Sequence, residues 1–288
     1  MRDQGSTLAR EEWLACATLD DAGRDAVVQL AAPIAADTVA ALYATQYTHD
    51  RTVTIDDGTG RVRATVTARL GAITIVERVS SDVSDDDRAA ALCARVRDGW
   101  PDAMPWSNAA RRLRERLRFL HAHDARWPDV GDAVLRDTLD TWLMPILRTC
   151  RSLEDLRRAD VGAQLFEQVD WSLRAQLDRL APTHVTVPSG SRIPVDYGTP
   201  DAPVLAVRLQ ELFGARETPA VLDGRVPLVL HLLSPAHRPV QVTRDLAGFW
   251  RSSYADVRKD LRGRYPRHAW PEDPASAVPT HHPKPRGT

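Results

Sequence analysis

The sequence predicts an α+β chain, and three observations carry that reading. Apolar residues alternate with polar ones near the N-terminus, a 3.6-residue period rules the middle, and alternation returns in the last third before one strongly amphipathic helix. The division is a small β-barrel or compact sheet over residues 1–82, a helical region over 83–181, an α+β domain with hairpins and a long helix over 182–274, and a tail over 275–288.

In the first part, Ala26 to Leu30 alternate and a short helical stretch covers 38–47. Strands follow at Thr52 to Ile55, Val62 to Thr67 and Ala72 to Val76, the first two separated by an Asp56-Asp57-Gly58 turn. Ser84 with Asp87 forms a capping-box pattern, after which Ala89, Leu92, Cys93 and Val96 recur at helical spacing. Ser107 caps a segment striped by Ala110, Leu113, Leu117 and Leu120. Leu135, Leu139 and Trp142 mark another helix that Pro145 kinks or stops. Ser152 and Asp155 form a second box, and Leu173, Leu177 and Leu180 a last stripe before Pro182. Strands at 184–187 and 193–197 flank a Pro188-Ser189-Gly190-Ser191 turn as a hairpin, and 226–233 pairs with 240–243. Leu246, Phe249, Trp250, Tyr254, Val257 and Leu261 then share one face of the final helix, which Gly263 and Pro266 stop.

Composition narrows the function classes. With 38 Lys+Arg against 39 Asp+Glu the net charge is -1, so any electrostatic partner must be met locally. No apolar run approaches the ~20 residues of a membrane helix, and the start, MRDQGSTLAREEW, lacks the apolar core of a secretory signal. We expect a cytoplasmic protein with no membrane partner. Cys16, Cys93 and Cys150 are far apart and read as small core residues. Lys259 and Lys284 are the only lysines, and neither sits in a Gly-Lys-Ser/Thr phosphate loop. His121 and His123 lie on different helix faces, His281 and His282 are adjacent, and no HExxH or Gly-x-Ser-x-Gly occurs. We therefore expect no metal, no cofactor and no catalytic residue.

The wording of the last third resembles the C-terminal region of the HrpB family of bacterial ATP-dependent, DExH-type helicases. The resemblance rests on residues 180–193 (LAPTHVTVPSGSRI), 205–214 (LAVRLQELFG), 224–230 (GRVPLVL), 242–250 (VTRDLAGFW) and 263–274 (GRYPRHAWPEDP). Residues 84–182 are similar more loosely, through 140–145 (DTWLMP) and 151–158 (RSLEDLRR), and 13–79 more faintly, which implies an OB-like N-terminal domain. The family's motor uses Gly-Lys-Thr, Asp-Glu-x-His and Gln-x-x-Gly-x-x-Gly-Arg, none of which stands in this sequence. The resemblance thus implies the accessory C-terminal part of a helicase without its engine.

The richest candidate site is the flank of the last helix. Eight basic residues face three acidic ones between Arg238 and Trp270. At ~100° per residue, Arg251, Arg258 and Arg262 fall in one stripe that either follows a phosphate backbone or is a solvated flank of an arginine-rich protein; Arg244, Lys259 and Arg264 lie beside it. Arg192 follows a Ser189-Gly190-Ser191 turn that either offers amides to an anion or is a tight hairpin with an exposed arginine. Arg111, Arg114 and Arg118 lie off the leucine stripe and read as solvated charge. Trp100, Trp106, Trp127, Trp142, Trp171 and Trp250 read as packing residues. The function expected is a non-catalytic module that binds RNA or another single-stranded nucleic acid and docks on helicase core domains in cis or trans. The rivals are an ATP-dependent helicase by family membership, with the motor absent from this chain, and a protein-interaction scaffold that binds no nucleic acid.

Overall fold

The structure, a computed structural model, describes residues 7–20, 26–199 and 202–280. Residues 281–288 of the tail, His281, His282 and Lys284 among them, lie outside the described residues. The chain divides into two compact units, Met1–Ala91 and Leu92–Thr288.

In the first unit, strands β1 (Leu14–Asp20) and β2 (Val27–Pro33) form an antiparallel ribbon, bulged between Cys16 and Leu19. Helix α1 (Ala36–Leu42) follows, then an antiparallel meander of β3 (Tyr47–Ile55), β4 (Val62–Leu70) and β5 (Ile73–Ser80). The expected barrel does not form: among the described residues no ladder joins the ribbon to the meander, so neither sheet closes. Alternation specifies strands but not which edges pair; on β4 the buried residues are Val62, Ala64 and Ala68. Cys16 is exposed on the ribbon, against expectation.

Helix α2 (Asp85–Asp98) begins as its cap predicts: the Ser84 hydroxyl accepts from the Asp87 N–H at 3.1 Å. The Asp87 carboxylate, however, reaches across to Arg51 on β3 at 2.6 Å instead of closing the box. That guanidinium holds the carboxyl below its ordinary range, aided by the Ser84 hydrogen bond. Ala89, Leu92, Cys93 and Val96 are all buried.

The second unit continues with α3 (Asn108–His123), capped by Ser107, whose hydroxyl accepts from the Ala110 N–H. Short helices follow: α4 (Asp132–Asp137), α5 (Leu139–Trp142), α6 (Met144–Thr149) with Pro145 in its first turn, α7 (Leu153–Arg158), α8 (Val161–Phe166), α9 (Trp171–Arg174) and α10 (Leu177–Leu180). Their leucines and Trp142 pack inward; a Cβ on Gly162 would come within 3.3 Å of the Ala110 Cβ, so a small residue lets α8 meet α3. Trp171 departs from the packing expectation, standing 82% exposed.

A five-stranded sheet follows in the order β12-β11-β8-β7-β6. It comprises β6 (His184–Thr186), β7 (Arg192–Asp196), β8 (Val204–Arg208), β11 (Val229–Leu233) and β12 (Pro239–Thr243). A separate two-residue ladder, β9 (Ala220–Val221) with β10 (Val226–Pro227), takes the start of the stretch expected to pair with 240–243. Both expected hairpins form, and central β8 runs parallel to β11. The long final helix is two helices, α11 (Leu246–Arg251) and α12 (Tyr254–Arg264). At the break the Ser252 hydroxyl donates to the Gly248 carbonyl at 2.8 Å, and such side-chain competition bends helices.

The two halves of the second unit are locked by Arg116, which is buried on α3. Its guanidinium donates to the carbonyls of Ala181 at 2.6 Å and Leu177 at 3.4 Å and pairs with Asp178 at 2.5 Å. Arg116→Met should cost about 2–4 kcal/mol, because buried carbonyls lose their donor. Asp178, 87% exposed, should be replaceable by Asn for less than ~1 kcal/mol. Urea unfolding of the two variants measures the contrast; equal costs would mean that the ion pair, not carbonyl satisfaction, matters.

Candidate nucleic-acid interface

The basic flank is built on an aromatic base. Phe249, Trp250 and Tyr254 are buried and meet one another, and Trp250 and Tyr254 also meet Phe213, at ring-centroid separations of 5.1–6.3 Å. The Trp250 indole donates to the Ala215 carbonyl at 2.9 Å, and the Tyr254 hydroxyl to Pro271 at 2.9 Å. Burial raises the Tyr254 phenol to about 12, so it stays a donor at neutral pH.

Segment 265–280 wraps this base. The Trp270 indole donates to Tyr265, the Gly214 N–H to Pro274 at 2.9 Å, and the Thr280 N–H to Gln210 at 3.1 Å. Gly214 is required there: its φ is +84° and a Cβ would approach the Ala277 carbonyl to 3.1 Å.

The candidate cations fall into distinct settings. Arg251 ends α11, so the helix break takes it off the axis that carries Arg258 and Arg262. Arg258 is half-buried; its Nε donates to the Trp270 carbonyl at 2.9 Å and its Nη2 to Glu272 at 3.1 Å, so its charge fastens the wrapping segment. Arg262 and Lys259 lie next round α12 on the same side, exposed and without an ion pair among the described residues. Arg264 lies on the opposite flank, pairs with Asp260 at 3.2 Å and faces Arg238 and Pro239 across a cleft of about 320 Å³. Arg244 is exposed in the turn before α11, and its carbonyl accepts from Thr218. Arg192 opens β7, exposed, beyond a turn whose amides are all spent: Ser189 on Glu211, Gly190 on Val187, Ser191 on the Ser189 hydroxyl. That is a hairpin turn rather than an anion nest.

Arginines on α3 also divide. Arg111, Arg112 and Arg118 are exposed, as solvated charge should be. Arg114 is not: its Nε donates to Val130 at 2.8 Å, it pairs with Asp132, and it lies 5.4 Å from the Trp106 ring centroid. Beside Arg111 and Arg112, burial first and then Asp196 push the Glu115 carboxyl up, against the pull of the nearby guanidiniums. His121 and His123 turn their Nδ1 atoms to backbone carbonyls of Trp127 and Phe119. Among the described residues no three His, Cys, Asp or Glu side chains gather as metal donors, and no helix is long and apolar enough to cross a membrane.

The second unit thus sets a mixed sheet with a docked helix pair beside a helical layer. Comparison with known proteins gives the relatives of this arrangement. Residues 142–274 match the ATP-dependent helicase C-terminal family of HrpB. Over 286 residues the chain is 38% identical to the ATP-dependent RNA helicase HrpB of Escherichia coli strain K12, covering 97% of this chain and 35% of that protein. The crystal structure of the E. coli DExH-box NTPase HrpB superposes with a TM-score of 0.66 at 37% identity, over 97% of this chain and 35% of that one. A second, of the E. coli DEAH/RHA helicase HrpB, gives 0.59 at 34% identity, over 93% and 34%. The chain is similar to the C-terminal region of HrpB helicases and spans about a third of their length.

Two outcomes follow from this geometry. Trp250→Ala should cost ~3–5 kcal/mol, since a 9%-exposed indole and its hydrogen bond are lost together; an unchanged melting midpoint would show that Trp250 is not a packing residue. His268 is held below the usual histidine value by burial first, then by Arg208 and Arg267. The unfolded chain therefore binds the proton more readily. The contribution is complete above the unfolded pKa of about 6.5 and is lost as pH falls through the lower folded value. His268→Gln should flatten the stability-against-pH curve below pH ~6.5; an unchanged slope would refute the assignment.

Proposed function

We propose that this chain is the non-catalytic accessory part of an HrpB-like RNA helicase, binding single-stranded or structured RNA and docking on helicase core domains in cis or trans. Its helical part (83–181) and α+β part (182–274) carry that role. One observation carries the nucleic-acid reading: in a chain whose arginines are so often tied to carbonyls or carboxylates, Arg251, Lys259 and Arg262 are exposed beside one aromatic base with no ion pair among the described residues. Cations left unpaired at a surface release counterions when they meet phosphates. The RNA partner is suggested by the name of the E. coli relative, an ATP-dependent RNA helicase. Docking on a core is supported by Trp171, an 82%-exposed indole of the kind that anchors protein interfaces. Among these candidates Arg258 acts as a positioning residue, while Arg192 and Arg244 extend the basic surface.

Salt dependence tests the reading. Replacing Arg251, Lys259 and Arg262 together by Gln should flatten the slope of log affinity for a single-stranded RNA against log salt by roughly 2 units, about 0.7 for each phosphate contact. The triple change of Arg111, Arg112 and Arg118 should alter it much less. Fluorescence anisotropy over a salt series decides, and a loss confined to the second triple would move the interface to α3. Without a phosphate loop, the chain alone should show no RNA-stimulated ATP hydrolysis; turnover abolished by a point change in this chain would overturn the non-catalytic assignment.

A further inference from the structure

Beside α11 lies a cleft of about 330 Å³ whose walls carry two cations and two acids in opposite conditions. Arg216 comes from the loop after β8, Arg251 from the end of α11, and Glu272 and Asp273 from the wrapping segment. Both acids already accept hydrogen bonds, Glu272 from a cation and Asp273 from neutral donors. Glu272 accepts from Arg258 at 3.1 Å, and Asp273 accepts from the Ala275 N–H at 3.1 Å and the Ser276 hydroxyl. Those hydrogen bonds, with Arg216 nearby, hold the Asp273 carboxyl below its ordinary range. Arg216, although its charge acts on Asp273, and Arg251 are exposed, and their guanidiniums form no hydrogen bond or ion pair to any described residue.

The cleft is also held in shape. The Trp250 indole donates to the carbonyl of Ala215, the residue before Arg216, which fixes one wall to the other, and Arg258 fastens the third wall through Trp270 and Glu272. Ala247, Trp250 and Pro274 supply apolar surface between the charges. Two planar guanidiniums lining one small cleft present paired N–H donors suited to a phosphoryl group.

We propose that this cleft is a phosphate subsite: Arg216 and Arg251 clamp one phosphoryl group of a nucleic-acid strand, and Trp250 with Pro274 forms the wall that the attached nucleoside touches. The proposal rests on the nucleic-acid reading above and adds to it Arg216, which lies outside the candidate flank.

The full chain serves as the test protein, with a short fluorescein-labelled oligouridylate and, separately, inorganic phosphate as probes. Arg216→Gln alone should weaken oligouridylate binding several-fold. Arg216→Gln with Arg251→Gln should weaken it by about tenfold or more and flatten the salt slope by roughly 0.7 units, the share of the one phosphate they hold. Lysine at both positions should restore the slope but only part of the affinity, since the charge returns without the paired donors. Melting midpoints should stay unchanged, because both side chains are exposed. If the wild type binds the strand and Arg216→Gln binds equally well, the clamp is refuted while the nucleic-acid reading stands. If the strand does not bind but inorganic phosphate shifts the Nε–H resonances of Arg216 and Arg251, the subsite holds for free phosphate and the nucleic-acid reading falls. If neither probe binds, both fall.

Discussion

The second unit depends on one buried guanidinium. Arg116 sits on α3, surrounded by apolar side chains, and a cation in that setting must find acceptors or unfold its surroundings. It finds them at the end of the helical layer, in the carbonyls of Leu177 and Ala181. Those residues lead directly into β6, so the requirement brings the start of the sheet against α3. Tyr197 completes the junction: its hydroxyl donates to Pro182 at 2.9 Å and its ring lies 5.1 Å from Phe119. Burial raises the Tyr197 phenol well above its ordinary value, so that donation persists at any physiological pH.

The same carbonyl-seeking behaviour recurs. Arg88 reaches Val83, Arg114 reaches Val130, Arg174 reaches Val169, Arg225 reaches Leu222 and Arg258 reaches Trp270. Each fastens a chain end or loop to a neighbouring turn, a task that the flat five-donor guanidinium performs better than an ammonium. Many of the arginines in this protein are therefore structural material, and the proposed interface rests on cations that this task leaves over. Charge density along the chain is a poor guide to them: five closely spaced arginines on α3 include one buried and one held over an indole.

The helix break at Ser252 and Ser253 shows how local chemistry reshapes a site. An unbroken helix would have set Arg251, Arg258 and Arg262 in a row. The break keeps the apolar face, since Phe249, Trp250, Tyr254 and Leu261 remain buried, but it redirects Arg251 towards the cleft shared with Arg216 and Asp273. Segment 265–280, which carries little periodicity, supplies the other wall because Trp270, Pro274 and Thr280 each find a polar partner or an apolar seat on the base.

What the sequence determined by itself was whatever depends on neighbours a few residues apart. The caps at Ser84, Ser107 and Ser152, the stripes of α2 and α3, the two hairpins and the apolar face of the last helices are all local, and each was legible from spacing. So was the resemblance to the HrpB C-terminal region, a matter of wording rather than geometry. Tertiary structure decided the rest. It left the N-terminal sheets open, because alternation does not say which edges pair. It made β8 a central strand, because a short apolar run has no period of its own and acquires one only between β7 and β11. It also sorted the arginines into fasteners and free cations, because that distinction turns on carbonyls and carboxylates brought close from distant parts of the chain.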